Sequence, residues 1–101
     1  MKDGFVVNRN DIDLGTIMHG ETREFYVSVT NITTNAITPT LGAQCGCTTP
    51  TIDPKTIAPN ETALIKVKFD SLKKRGLQVK KFWISANGIN TVIVKFTANV
   101  I

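Results

Sequence analysis

Apolar residues never form a run of the roughly 18 needed to cross a membrane. The chain has one histidine, and it shows no glycine-rich phosphate loop, acidic metal cluster or serine elbow. No stretch repeats its apolar residues with helical spacing. These absences argue against a membrane span, a common catalytic motif, a bound cofactor and a helical domain.

The first residues, Met1-Lys2-Asp3-Gly4, contain no apolar signal-peptide core. The protein is therefore expected to act where it is made, unless a leader preceded Met1 and was removed. A chain of 101 residues with 42% hydrophobic content is sufficient for one domain with its own core, spanning residues 1–101.

Charge is distributed unevenly around the net value of +4. Residues 1–60 carry a net charge of −2, whereas residues 61–101 carry +6. Lysines on solvent-exposed strand faces keep a β protein soluble and blunt its sheet edges. The same one-sided charge can also steer the domain toward a negatively charged partner.

Alternation of apolar and polar residues predicts half-buried antiparallel strands over 23–31 and 63–69. The residues expected to face inward are Phe25, Val27, Val29, Ala63, Ile65, Val67 and Phe69. A first strand is expected to break at residues 8–10 and then resume. Residues 36–41 form a weaker strand that Pro39 assigns to a sheet edge or a bulge.

Residues 80–86 and 91–100 are predicted to form a hairpin around Asn87-Gly88. If Phe82 and Ile84 face inward, they must pair with inward residues of the next strand, which requires a loop with an odd number of residues. The simplest is Asn87-Gly88-Ile89, with Gly88 at positive φ. The outer side would then place Trp83 opposite Ile93, between Lys81 and Lys95. Exposed apolar residues on such a face often mark interfaces, although Trp83 could instead only cover lysine stems.

About seven short strands separated by turns predict an immunoglobulin-like antiparallel β-sandwich. The stretch 51–60 contains Pro54 and Pro59 and is expected to cross between the sheets, with Ile52 and Ile57 as inward anchors. Cys45 and Cys47 are too close in sequence to link the two sheets.

Both cysteines lie in Cys45-Gly46-Cys47-Thr48, which is followed by Pro50. A zinc site is disfavoured, because a structural zinc needs four ligands and only Cys45, Cys47 and the sequence-distant His19 are available. A Cys45–Cys47 disulfide would need a tight turn at Gly46. The preferred interpretation is two small, mostly buried thiols in a bulged strand, with a structural role.

Further motifs accompany the cysteine stretch along the chain. They are Asp13-Leu14-Gly15-Thr16-Ile17, Gly20-Glu21, Val29-Thr30-Asn31, Ile57-Ala58-Pro59, Val67-Lys68-Phe69-Asp70 and Gly76. In this order they resemble a bacterial family of unknown function marked by Cys-Gly-Cys-Thr. That family is similar to the major sperm protein and abnormal-spindle/hydin types of immunoglobulin-like domain.

The resemblance implies a noncatalytic sandwich used for binding or assembly. Most members look secreted or periplasmic, and related domains occur in virion proteins of tailed bacteriophages. With no leader visible, the first hypothesis is an auxiliary decoration protein that binds a major capsid protein on the virion. The alternative is a periplasmic or cell-surface module of a Gram-negative bacterium that binds another protein.

Nucleic-acid binding through Lys73-Lys74-Arg75, Lys80 and Lys81 is a weaker hypothesis. This cluster lies in and beside one turn and has no aromatic residues interleaved for base stacking. It would provide charge without sequence readout.

Overall fold

The structure is a computed structural model that describes residues 4–101. Residues 1–3, on which the prediction about a leader depends, lie outside this range. The described residues form eight strands: β1 (Phe5–Val7), β2 (Asp11–Ile17), β3 (Thr22–Asn31), β4 (Thr40–Ala43), β5 (Thr48–Asp53), β6 (Thr62–Asp70), β7 (Gly76–Ala86) and β8 (Ile89–Val100).

The strands form two four-stranded sheets that pack face to face around one core, as the sequence predicts. The first sheet has the order β1-β3-β6-β5, and the second has the order β2-β8-β7-β4. In the first sheet, Phe25 pairs with Val67 and Val27 with Ile65, so the alternating apolar residues of β3 and β6 share the inner face. The fold is an all-β sandwich.

Aromatic rings occupy the centre of the core. The ring of Phe96 packs edge-on against Phe25 at 5.2 Å and against Phe69 at 5.4 Å, measured between centroids. The ring of Phe82, in β7, lies 6.4 Å from the ring of Phe25 between centroids. Because β3 and β6 belong to the first sheet and β8 to the second, Phe96 joins the two layers.

The break predicted at residues 8–10 is a change of sheet. β1 pairs antiparallel with β3, whereas β2 pairs parallel with β8 in the other sheet. The β2–β8 register shifts between Asp13 and Thr16, where Gly15 has a φ of 73° and donates its N–H to Asp13 Oδ1 at 2.8 Å. The sandwich is therefore antiparallel except for this pair.

The hairpin register agrees with the prediction, but its loop is shorter. Trp83 pairs with Ile93, and Ile84 pairs with Val92. Ala86 then pairs with Ile89, which leaves Asn87 and Gly88, with φ 76°, as a two-residue turn. A register shift between Ile84 and Ala86 provides the odd residue that same-face pairing requires.

The crossing between sheets comes earlier than the sequence suggests. β4 ends at Ala43 in the second sheet, and β5 begins at Thr48 in the first, so the chain crosses through the cysteine stretch. Pro50 lies inside β5, which pairs only with β6, and an edge strand can accommodate a residue without an N–H. Ile57 is buried as expected, and Ile52 packs partly against the core.

A buried amide closes one end of the sandwich. Asn31 is fully buried, and its Nδ2 donates to the carbonyls of Asn35 and Ile57, both at 2.8 Å. Its Oδ1 accepts from the Thr33 N–H at 2.9 Å and from the Thr33 hydroxyl at 2.7 Å. One side chain thus connects the end of β3, the turn after it and the segment before β6.

Candidate functional site

The four predicted interface residues lie together on the outer face of the second sheet. Trp83 is opposite Ile93, and Lys81 is opposite Lys95, on the neighbouring strands β7 and β8. Ile93 is 55% exposed, whereas Trp83 is half-buried. The candidate surface is therefore one contiguous patch with an aliphatic residue open to solvent beside a partly covered indole.

The indole of Trp83 lies directly over Gly42 of the edge strand β4. A Cβ placed at Gly42 would overlap Nε1 and Cε2 of the ring. The absence of a side chain at this position therefore lets the aromatic ring lie flat over the edge strand. Covering β4 explains why Trp83 is only half-exposed.

Replacing Gly42 with alanine should displace the indole and lower the free energy of unfolding by about 1–3 kcal/mol through overpacking. Trp83 is the only tryptophan, so a red shift in its fluorescence reports the displacement directly. Gly46→Ala is the matched control, because nothing lies within 4 Å of a Cβ at Gly46. An unchanged spectrum in Gly42→Ala would contradict the close packing of Trp83 on β4.

Sequence reasoning missed two further apolar residues on this face. Leu77 and Val79 continue the outward alternation of β7 through Lys81 to Trp83, and they are 71% and 46% exposed. Their positions could have been found from the alternation, but the predicted strand began only at residue 80. β7 in fact begins at Gly76.

Positive charge predominates in the sequence after β6. No Asp or Glu occurs after Asp70, whereas six Lys and Arg residues follow it. Lys95 is partly neutralised from β2, since its Nζ lies 3.4 Å from Asp11 Oδ2. Lys81 has no ion-pair partner within the part of the chain that the structure describes.

The basic turn between β6 and β7 contacts the β2–β3 turn. Lys73 has a φ of 65° and donates its backbone N–H to His19 Nε2 at 3.1 Å, so the exposed His19 joins two turns. Nearby, the pKa of Glu21 is lowered, chiefly by hydrogen bonds that the Arg23 side chain donates to it. The Met18 N–H and the charge of Arg23 lower the pKa of Glu21 further. These contacts hold the two turns in place.

The outer face of the first sheet also carries exposed apolar side chains. Tyr26 and Leu64 are 50% and 52% exposed there. On this face Glu24 Oε2 forms ion pairs with two lysines, lying 3.3 Å from Lys66 Nζ and 4.0 Å from Lys68 Nζ. Both outer faces therefore combine exposed apolar side chains with lysines and acidic residues.

The cysteine pair corrects the sequence-based expectation of free thiols. Cys45 and Cys47 form a disulfide, with their Cα atoms 5.3 Å apart. They are not in a strand: a turn forms here, with the Thr48 N–H donating to the Cys45 carbonyl at 3.2 Å. This turn at Gly46 brings the sulfurs together, which an extended strand could not do.

Within residues 4–101, no group of three or more His, Cys, Asp and Glu side chains is placed to hold a metal ion. A cleft of about 520 Å³ lies at one end of the sandwich between residues 32–37 and 87–89, and no titratable side chain lines it. Among the described residues, no helix is long and apolar enough to span a membrane.

A known protein family matches nearly the whole chain, including the β1–β2 change of sheet, the cysteine crossing and the final hairpin. The match covers residues 5–100 and is to the protein family of unknown function DUF1573. The chain belongs to the DUF1573 family. Membership of a family of unknown function agrees with the expectation from the sequence, and a search of curated proteins finds no match to this chain.

Solved structures share the DUF1573 fold at low sequence identity. A protein of unknown function from Porphyromonas gingivalis W83 matches with a TM-score of 0.79 and 16% identity over 97% of this chain and 47% of that one. The VesB protease of Vibrio cholerae matches with a TM-score of 0.70 and 17% identity, over 95% of this chain and 32% of the protease. This chain thus spans less than half of either protein.

The ASH/PapD-like domain 7 of human CEP192 matches over nearly its full length. Its TM-score is 0.72 at 13% identity, with 99% of this chain and 87% of that domain covered. The DUF1573 chain therefore shares the β-sandwich fold of this ASH/PapD-like domain. At such identity, the likeness concerns the fold alone.

Proposed function

We propose that this DUF1573 domain is a module that binds another protein through the outer face of its second sheet. The observation that carries the proposal is the pairing of Trp83 with the exposed Ile93, beside Lys81, which has no ion-pair partner among the described residues. Tryptophan beside an aliphatic residue is a common energetic centre of interfaces.

The geometry of the patch favours binding over lysine-stem coverage. The Trp83 ring is already fixed by its packing on Gly42, so little side-chain entropy would be lost on binding. Lys81, which lies in the patch without an ion-pair partner among the described residues, would favour a partner with an acidic group opposite it. Binding of nucleic acid is not proposed, because a single tryptophan offers no series of stacking platforms.

Two assemblies could use such a module. The first is a bacteriophage capsid, to which the domain would bind in many copies as a decoration protein. The second is a periplasmic or cell-surface assembly. The Cys45–Cys47 disulfide is consistent with an oxidising setting, which includes the periplasm and the surfaces of cells and virions.

Site-specific photocrosslinking in the native cells tests the proposal. A photoreactive amino acid at position 93 should yield a defined protein adduct, whereas the same group at Leu64, equally exposed on the other sheet, should not. Identification of the adduct as a capsid protein or an envelope protein decides between the two assemblies. Equal adducts from both positions would contradict the assignment of the face.

Truncation of the anchor gives the corresponding affinity test. Trp83→Ala should weaken binding to the crosslinked partner at least tenfold, corresponding to about 1.4 kcal/mol or more. Tyr26→Ala is the matched control, since it removes a half-exposed aromatic residue from the opposite outer face. Equal affinity of the wild-type protein and Trp83→Ala would refute the role of Trp83.

A further inference from the structure

The Cys45–Cys47 disulfide closes a very short loop, because the two residues are separated by a single glycine. A disulfide stabilises a fold mainly by restricting the unfolded chain, and this effect is smallest for short loops. The sulfurs of residues two apart stay close even in an unfolded chain. The bond therefore contributes little to holding the sandwich together.

Backbone hydrogen bonds fix the cysteine turn independently of the sulfurs. The Gln44 N–H donates to the Lys81 carbonyl at 3.0 Å, which anchors the turn to β7. The Asp70 N–H donates to the Cys47 carbonyl at 2.9 Å, which anchors it to the end of β6. Opening the disulfide would leave both anchors in place, so two reduced thiols would remain side by side.

The disulfide is partly accessible to an incoming group. Cys45 and Cys47 are each half-buried, Cys47 packs partly against the core, and Gly46 between them is exposed. Nothing lies within 4 Å of where a Gly46 side chain would be. A thiolate from another molecule could therefore approach over the glycine.

The two sulfurs are not equivalent. The backbone N–H of Cys47 donates to Cys45 Sγ at 3.1 Å. Cys47 Sγ has the Thr48 hydroxyl at 3.7 Å, a longer contact. Negative charge would therefore be better stabilised on Cys45, because a short N–H donor strengthens when its acceptor becomes anionic. Cys45 is thus the better leaving group.

Residues of both signs adjoin the cysteine turn through their backbones, because the Gln44 N–H donates to the Lys81 carbonyl and the Cys47 carbonyl accepts from the Asp70 N–H. The absence of a neighbouring base does not matter here, since disulfide exchange needs only a thiolate.

From these observations we propose that Cys45 and Cys47 form a thiol–disulfide exchange site whose substrate is a cysteine pair of another protein. The first substrate thiolate attacks Cys47 Sγ, the Cys45–Cys47 bond breaks, and its electron pair passes to Cys45 Sγ. The second substrate thiolate then attacks the first substrate sulfur and releases Cys47 as a thiolate. The domain gains two electrons and two protons, and the substrate dithiol becomes a disulfide.

Equilibration with glutathione tests the site in the intact protein. At increasing ratios of reduced to oxidised glutathione, alkylation followed by intact-mass measurement should show reversible conversion between the disulfide and two thiols. The circular dichroism spectrum and melting temperature should change little on reduction. The proposal would be overturned if excess reduced glutathione failed to open the disulfide or if oxidised glutathione failed to re-form it from the two thiols. Unfolding of the protein on reduction would also overturn it.

A protein dithiol tests the substrate class. Stoichiometric reduced thioredoxin should reduce the Cys45–Cys47 disulfide and become oxidised in equal amount. The Cys45→Ser/Cys47→Ser double variant is the control and should leave thioredoxin reduced while keeping the fold. If thioredoxin remains reduced with the wild-type protein, a protein dithiol is not the substrate.

Single variants test the assignment of the two sulfurs. The Cys45 thiol in Cys47→Ser keeps the N–H donor of residue 47 and should be alkylated at neutral pH roughly tenfold faster than the Cys47 thiol in Cys45→Ser. Equal rates, or a faster Cys47, would overturn Cys45 as the leaving group.

Discussion

Replacement of Asn31 with alanine should lower the free energy of unfolding by about 2–4 kcal/mol, measured by urea denaturation. The amide is fully buried, and its four side-chain hydrogen bonds range from 2.7 to 2.9 Å. Alanine would leave the Asn31 partners without their bonds and would remove the volume of the amide from a buried position. Unsatisfied buried polar groups cost more than a hydrogen bond normally contributes.

Asn31→Asp separates the donor role from the volume of the side chain. Aspartate keeps an acceptor for Thr33 but directs a carboxylate oxygen at the carbonyls of Asn35 and Ile57. At neutral pH it should therefore be at least as destabilising as alanine. If Asn31→Asp is as stable as the wild-type protein, the amide donor does not hold this end of the sandwich.

Phe96→Ala should cost about 3–5 kcal/mol in the same measurement. Phe96 is fully buried and contacts aromatic rings on two strands of the opposite sheet. Its removal would lose the transfer free energy of the ring and leave a cavity at the point where the layers meet. Since domains of this size are stable by only about 5–15 kcal/mol, the variant should be close to unfolding at moderate temperature.

Two variants calibrate the Phe96 result. Phe96→Leu retains most of the apolar volume and should cost less than half as much as alanine. Tyr26→Ala removes a half-exposed ring from the outer surface and should cost under about 1 kcal/mol. Equal losses for Phe96→Ala and Tyr26→Ala would mean that Phe96 does not centre the core.

Local patterns were sufficient to predict the faces of the longer strands. Phe25, Val27 and Ile65 alternate with polar residues, and burial of one face leaves a single register that hides them. The same reasoning placed Trp83 opposite Ile93, because the inward direction of Phe82 fixes the outward residues of both hairpin strands. These predictions depend only on period-two geometry.

Features that depend on distant parts of the chain were not predictable in this way. The Trp83 ring packs against Gly42, which lies in β4, and β4 is separated from β7 in the sequence by two strands of the other sheet. Nothing in the local sequence therefore signals this contact. The parallel pairing of β2 with β8 is equally non-local. The disulfide was missed because its formation depends on a turn, and the preceding residues suggested a strand.

The position of β8 has a consequence for the order of folding. β8 is the last strand in the chain, yet it lies inside its sheet, between β2 and β7. On the ribosome, all four strands of the first sheet are available once Asp70 has been made, whereas the second sheet must wait for residues 89–100. Until then the inner face of the first sheet remains uncovered, and pairing over such sequence distances is slow. Newly made chains should therefore be most prone to aggregation just before the final hairpin closes.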